Sequence, residues 1–366
     1  MVTLDSDVMD GQLLDGLLEA LRELPDAQAE VSRVEHSGGR DRGHDAQVDL
    51  RVGGKAVTLL IEMKKEVYPR DVRQVLWQLR DSARRWPHAA EKLEAAFFLI
   101  AQSISPGAKE LLRNERVGYY DSGGSLFLPA GNIYAYVDKP PPKSLSRSIR
   151  SVFSGRRAQV LHAVLLRNRE WFGVKDIANQ ADVAPATASQ VLRELEKFEW
   201  VVSRGRGPAK ERHLQEPGAL LDAWVNQQAV MRPLSMRRYF VPAAHGEGLV
   251  EKFAEACAVS KAEYAITHEA AGQRYAPFLS TVSQVRCRLW DGPAADRALG
   301  ALDARSVDQG ANLAVIEVKS PGELLFRESV NGVWLAGVLQ VYLDLMRSEG
   351  RAREMAKHLR QERIGF

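Results

Sequence analysis

Apolar and polar side chains alternate through AQVDLRV, break at GGK, and alternate again through AVTLLIEMKKE. A period of two sends successive side chains to opposite faces of a strand, and adjoining glycines tolerate the positive φ of a two-residue turn. The segment therefore predicts an antiparallel hairpin whose faces can be assigned. Val48, Leu50 and Val52 share one side, Gln47, Asp49 and Arg51 share the other, and Glu62 and Lys64 fall together because they are two apart. Two carboxylates on neighbouring strands can hold a hard divalent cation such as Mg²⁺, and a nearby ammonium can orient a water or stabilise charge on a scissile phosphate. A tight turn at Gly53-Gly54 would set Asp45, rather than Asp49, nearer Glu62 across the strands, so the first acid stays open between them.

Asp49, twelve intervening residues and the triplet Glu62-Met63-Lys64 together resemble the PD-(D/E)xK nuclease superfamily. The helical LLDGLLEALREL lies before the hairpin, and a helix beginning near Arg70 puts Gln74 and Gln78 one turn apart. AAFFLIAQSISPGAKELLRNERVGYYDSGGSLFL then continues as strand, helix and strand. The resemblance covers about residues 10–136 and implies a restriction endonuclease-like α/β core. It implies Asp49 and Glu62 as metal ligands, Lys64 as a catalytic cation, and Glu19 and Gln78 as further members of the site; its spacing puts Asp49 first. The same fold also serves as an inactive DNA-binding or assembly module, so Mg²⁺ is expected only if cleavage is retained.

The prolines of VDKPPPKSLSRS cannot donate backbone hydrogen bonds and favour an extended linker, which marks a first boundary. Beyond it, VLHAVLLRN, VKDIANQAD and PATASQVLRELEKFEWV have the apolar spacing of three short helices. Val160, Leu161, Val164 and Leu165 stripe the first, Ile177 and Ala178 sit in the second, and Val191, Leu192, Leu195 and Phe198 stripe the third. Thr187, Ser189, Gln190 and Arg193 fall on the opposite face of the third helix, with groups able to reach phosphates or base edges in a major groove. WVVSRGRGPAKERHLQ reads as a strand, a Gly-rich turn and a return strand that would set Arg204, Arg206, Lys210 and Arg212 beside a duplex. Between Lys143 and His213 there are 14 Lys or Arg against 7 Asp or Glu, although the whole chain carries only +3. Positive charge is thus concentrated where a polyanion would be met. About residues 154–215 resemble winged helix-turn-helix regulators.

A second boundary falls near MRPLSMRR. From about Arg237 onward, AEYAITHEAAGQRYAPFL and LQVYLDLMRSEGRAREMAKHLR resemble the C-terminal domain of AbiEi-type antitoxins, transcriptional autoregulators of type IV toxin–antitoxin systems. That resemblance implies an α+β nucleotidyltransferase-like fold without catalytic equipment and a cognate toxin as partner. Glu317-Val318-Lys319 repeats the Glu-x-Lys pattern, but Ala314, Ile316 and Val318 alternate with it as on any half-buried strand. Arg347, Arg351, Arg353, Lys357 and Arg360 read as a solvated helix face.

The expected architecture is a multidomain α/β chain: residues 1–138 nuclease-like, 139–235 winged helix with linker, and 236–366 AbiEi-like. The expected function is sequence-specific binding of double-stranded DNA as a transcriptional regulator. A Mg²⁺-dependent endonuclease targeted by its winged helix is the alternative. Palindromic operators commonly make such readers homodimers, although the sequence leaves the oligomeric state open. No stretch approaches the ~20 apolar residues of a membrane span, and MVTLDSDVMDGQ lacks the order of a secretory signal, so a cytoplasmic protein is expected. Cys257 and Cys287, the only cysteines, are expected to be small buried hydrophobes.

Overall fold

The computed structural model describes residues 3–34, 45–85, 94–131, 133–140, 142, 150–231, 235–242, 244–279 and 281–366; the side chains of 3–8, 78–85 and 94 are outside that description. The chain is of mixed α/β class and forms two compact units, one of Met1–Val152 with Arg193–Val201, the other of Phe153–Leu192 with Val202–Phe366. Among the described residues no helix is long and apolar enough to cross a membrane.

In the first unit, α1 (Thr3–Arg22) precedes an antiparallel meander of β1 (Ala27–Val34), β2 (Ala46–Val52) and β3 (Lys55–Val67). Then come α2 (Pro69–Arg85), β4 (Glu94–Ile104), α3 (Pro106–Asn114), β5 (Gly118–Asp121), β6 (Leu126–Ala130) and β7 (Ile133–Val137). The seven strands lie in sequence order, with β3, β4 and β5 mutually parallel. Leu13, Leu14, Leu17, Leu18 and Leu21 stripe α1 at helical spacing and are buried with Val48, Leu50, Leu59, Ile61, Phe98 and Ile100 on one sheet face. Val72 and Val75 of α2, with Ala108 and Leu112 of α3, cover Leu99, Ala101, Tyr119 and Phe127 on the other. Ser105 caps α3 by accepting from the Ala108 amide (3.3 Å), and Pro106 opens the helix where no N–H is needed.

The second unit begins with α4 (Gly155–Leu166), β8 (Trp171–Phe172), α5 (Val174–Gln180) and α6 (Pro185–Lys197), whose last turn belongs to the first unit. β9 (Val201–Arg204) and β10 (Glu211–Leu214) join β8 in a sheet of order β8-β10-β9, and α7 (Pro217–Ala229) follows. The remainder comprises β11 (Arg237–Phe240), α8 (Gly246–Ser260), β12 (Tyr264–Thr267), α9 (His268–Tyr275), β13 (Val285–Trp290), α10 (Pro293–Ala301), β14 (Arg305–Ser306) and β15 (Leu313–Val318). It ends with β16 (Glu328–Val330), β17 (Val333–Leu335), α11 (Val338–Met346) and α12 (Arg351–Leu359). These strands form a mixed sheet of order β14-β11-β15-β13-β12-β17-β16. All four residues of β12 are buried, as a strand covered on both faces requires.

Cys257 and Cys287 are buried free thiols, and burial pushes Cys257 up to about 12. Glu317 is ion-paired with Arg237 across β15 and β11, which accounts for the second Glu-x-Lys as strand chemistry. Arg351, Arg353 and Lys357 are exposed as expected, whereas Arg347 and Arg360 are half-buried. Arg360 donates to Asp222 (2.5 Å) and to the Tyr342 hydroxyl (3.1 Å), tying the last turn to α7 and α11.

Within the second unit, the His162 ring of α4 stacks on Phe326 at 4.0 Å and 10°, and burial lowers its pKa to about 3. The unfolded histidine titrates near 6.5, so from there downward the unfolded chain binds the extra proton and stability is lost as pH falls. Unfolding free energies measured between pH 7 and 5 are expected to show a total loss of about 2 kcal/mol from this residue, the slope steepening toward ~1.4 kcal/mol per pH unit once the pH is well below 6.5. His162→Phe should remove that contribution; an unchanged slope in the variant would contradict the assignment.

Candidate nucleic-acid interface

The three helices α4, α5 and α6 share an apolar core. Val160, Leu161, Val164 and Leu165 of α4, Ile177 and Ala178 of α5, and Ala188, Val191, Leu192 and Leu195 of α6 are all buried. The Asp176 carboxylate accepts from the Gly173 amide (2.8 Å) at the start of α5, satisfying one orphan donor of that short helix. Between α5 and α6 the chain turns at Asp182, which takes positive φ, and Pro185 opens α6. With Ala188, Val191 and Leu192 turned inward, Gln190 is exposed and Thr187 and Ser189 are half-exposed on α6. Arg193, also exposed, begins the segment that belongs to the first unit.

β9 and β10 form the hairpin expected as a wing. Its tip needs glycine at 205, where φ is +76° and an added Cβ would lie 2.6 Å from the Ala209 carbonyl oxygen. The four basic residues expected along this hairpin do not behave alike. Arg206 is exposed at the tip, and Lys210 is half-buried where the return strand begins. Arg204 is committed to neighbours: its guanidinium donates to Glu211 (2.8 Å) and stacks 4.1 Å over the Trp171 ring, a brace across the outer face of the small sheet. Arg212 is only 4% exposed, sharing its strand face with buried Leu214 and pairing in register with buried Phe172, so the expectation that it lines a duplex is corrected.

In the first unit, β2 and β3 pair with Val52 opposite Lys55 around Gly53 and Gly54, both at positive φ. This register sets Asp49 opposite Thr58, whose hydroxyl donates to the Asp49 carboxylate (2.8 Å). Glu62 lies four residues further along β3, about 13 Å at ~3.3 Å per residue, so Asp49 and Glu62 do not share a metal site. Asp45 is the acid that falls across from Glu62. Its amide donates to the Ile61 carbonyl (2.7 Å), and its carboxylate accepts from the Met63 amide (2.7 Å). Glu62, 7% exposed, accepts from the Lys64 ammonium (2.6 Å) on the sheet face that carries Leu99.

Glu19 is not brought to this group. It is exposed on α1, whose leucine stripe covers the opposite face of the sheet. Gln78 lies on α2, and its side chain is outside the described residues. Among the described residues no cluster of three or more His, Cys, Asp or Glu is placed to hold a metal ion. The segment Arg193–Val201 packs within this unit: Phe198 meets the Tyr68 ring edge-on at 5.1 Å, Lys197 lies 5.0 Å over the same ring, and Glu199 pairs with Arg73 (3.2 Å).

Comparison of the chain with models of known families, with curated proteins and with solved structures finds no match.

Proposed function

We propose that the protein binds double-stranded DNA sequence-specifically through α6 and the wing, as a transcriptional regulator. One observation carries the reading: the polar side chains of α6, Gln190 foremost, stand outside a helix whose other face is fully buried, and the same fold element ends in a glycine-shaped hairpin with Arg206 at its exposed tip. A helix of that kind fits a major groove, and a basic hairpin can follow the adjoining phosphates. The order α4, β8, α5, α6, β9, β10 supports the resemblance to winged helix regulators, and the AbiEi resemblance adds a toxin as expected partner. The test is duplex binding by the full chain without divalent metal. Affinity should fall steeply between 50 and 200 mM salt, and salt-independent binding would overturn the reading.

A second reading, Mg²⁺-dependent DNA cleavage, is favoured by the helix, β2–β3 hairpin, helix and parallel strand of the first unit, the order the PD-(D/E)xK resemblance implies, with β1 as an added edge strand. Asp45 and Glu62 supply two carboxylates at facing strand positions, a number that suits a Mg²⁺ ion otherwise held by water and phosphate. Such an ion would supply Lewis-acid stabilisation of the scissile phosphate. Lys64 holds the Glu62 carboxylate in place and keeps an ammonium beside it. In a plasmid-cleavage assay with Mn²⁺ or Mg²⁺, Asp45→Asn and Lys64→Ala should each lower cleavage at least a hundredfold on the scale of general acid–base catalysis, ~10²–10⁴. Asp49→Asn should leave it unchanged. Loss in Asp49→Asn with retention in Asp45→Asn would reverse the assignment.

A further inference from the structure

A recess of about 350 Å³ in the second unit lies where the end of α7, the start of β11, β13 and the α11–α12 turn come together. Arg238, Arg286, Arg347 and Arg353 line it, and among the described lining residues there is no Asp or Glu. Guanidinium groups gathered this way repel one another, and their planar donor forks match phosphate oxygens two at a time. Arg286 pairs with Glu269 (3.2 Å) while donating to Gln284 (3.1 Å) and Ser348 (3.3 Å), which fixes its orientation. Arg238 and Arg353 reach backbone carbonyls, of Asp308 (3.4 Å) and Ser348 (2.9 Å) respectively, and these leave their charge uncompensated.

Two buried polar atoms in the wall point independently to a ligand. His268 is 2% exposed, and its Nδ1 has no hydrogen-bond partner; the Gln228 Oε1 is also buried without one. Both residues line the recess. Buried polar groups are almost always paired, so two orphaned atoms on residues that line one cationic cavity call for a polar occupant. The volume falls within the range of small-molecule sites, about 300–1,000 Å³.

We propose that this recess binds a small phosphate-bearing molecule, its phosphate held by the four arginines and its remaining polar groups meeting His268 and Gln228. A duplex backbone is the less fitting anion, because a lining group as enclosed as His268, 2% exposed, is out of reach of a rod-like polymer. The inference is independent of duplex binding by the winged helix.

The experiment is calorimetric titration and thermal melting of the full chain with inorganic phosphate, ribose 5-phosphate and adenosine 5′-monophosphate, at constant ionic strength in chloride. Ribose and adenosine serve as unphosphorylated controls. The phosphorylated probes should bind and raise the melting temperature while the controls do not. In Arg238→Gln/Arg353→Gln, two exposed positions, affinity should fall at least tenfold with the ligand-free melting temperature unchanged. The imidazole NMR signals of His268 should move on phosphate addition. Absence of binding by all three phosphorylated probes would overturn the proposal. So would equal binding by wild type and variant, or displacement of the probes by duplex DNA with the His268 signals unmoved.

Discussion

Replacing Asp344 by Ala should destabilise the second unit by about 3–5 kcal/mol, the cost of leaving a buried counter-charge without its partner. Asp344 is 1% exposed on α11, and its carboxylate accepts from two nitrogens of buried Arg288, Nη2 (2.8 Å to Oδ1, 3.0 Å to Oδ2) and Nε (3.3 Å to Oδ2). It also accepts from the Thr267 hydroxyl (2.5 Å) and the Gln340 amide (2.9 Å). Burial alone would raise its pKa, but Arg288, His268 and the Thr267 hydrogen bond together hold the carboxyl below its ordinary value. Removing the acid strips Arg288 of its bidentate acceptor, and Glu323, 3.6 Å away and more exposed, is a poor replacement. Urea unfolding reads the effect as a shift in midpoint at constant slope. The double change Arg288→Met/Asp344→Leu should recover most of the loss, because well-packed apolar side chains can replace a buried ion pair at little cost. A single-variant loss under about 1 kcal/mol would show instead that water or another base compensates the guanidinium.

That cluster was invisible in the sequence, and the reason is separation along the chain. Arg288 lies in QVRCRLW and Asp344 in LQVYLDLM, 56 residues apart, and nothing local in either segment pairs them. The recess arginines share the difficulty, coming from β11, β13, the α11–α12 turn and α12 itself. What local physics controls was legible. The alternation around Gly53-Gly54 foretold the hairpin and its faces, and the leucine and valine stripes foretold the buried sides of α4 and α6. The two-residue turn also fixed the register, and Asp45 as the partner of Glu62 could be read from it; preferring Asp49 followed family spacing over that geometry. Glu19 failed for a different reason, since helical periodicity identifies a helix's buried side without saying which face of a sheet it will cover. Arg212 was within reach of pattern reasoning: strand parity groups it with Leu214, and only the basic count of the segment argued for the surface.

The second large effect concerns the duplex. A protein that neutralises six to ten phosphates loses about 10³–10⁵ in affinity between 50 and 200 mM salt, because condensed counterions are released on binding. The wing residues should divide according to their surroundings. Arg206, exposed at the tip, should act as a phosphate contact, so Arg206→Ala should weaken binding to all sequences and lower the salt slope by about 1. Arg204 braces Trp171 and Glu211, and Arg212 is internal, so changing either should act on wing stability before DNA affinity. Gln190 is the exposed amide on α6, and Gln190→Ala should cost about 1–3 kcal/mol on the preferred sequence while leaving non-specific binding and the salt slope as they were.

The most direct measurement is the equilibrium affinity of the full chain for duplex DNA against salt concentration, run for wild type, Arg206→Ala and Gln190→Ala on preferred and scrambled sequences. Log affinity should fall steeply and linearly with log salt, with a shallower slope for Arg206→Ala on both duplexes and a loss confined to the preferred duplex for Gln190→Ala. Wild-type binding that does not change with salt, or three proteins with superimposable curves, would contradict the proposed recognition.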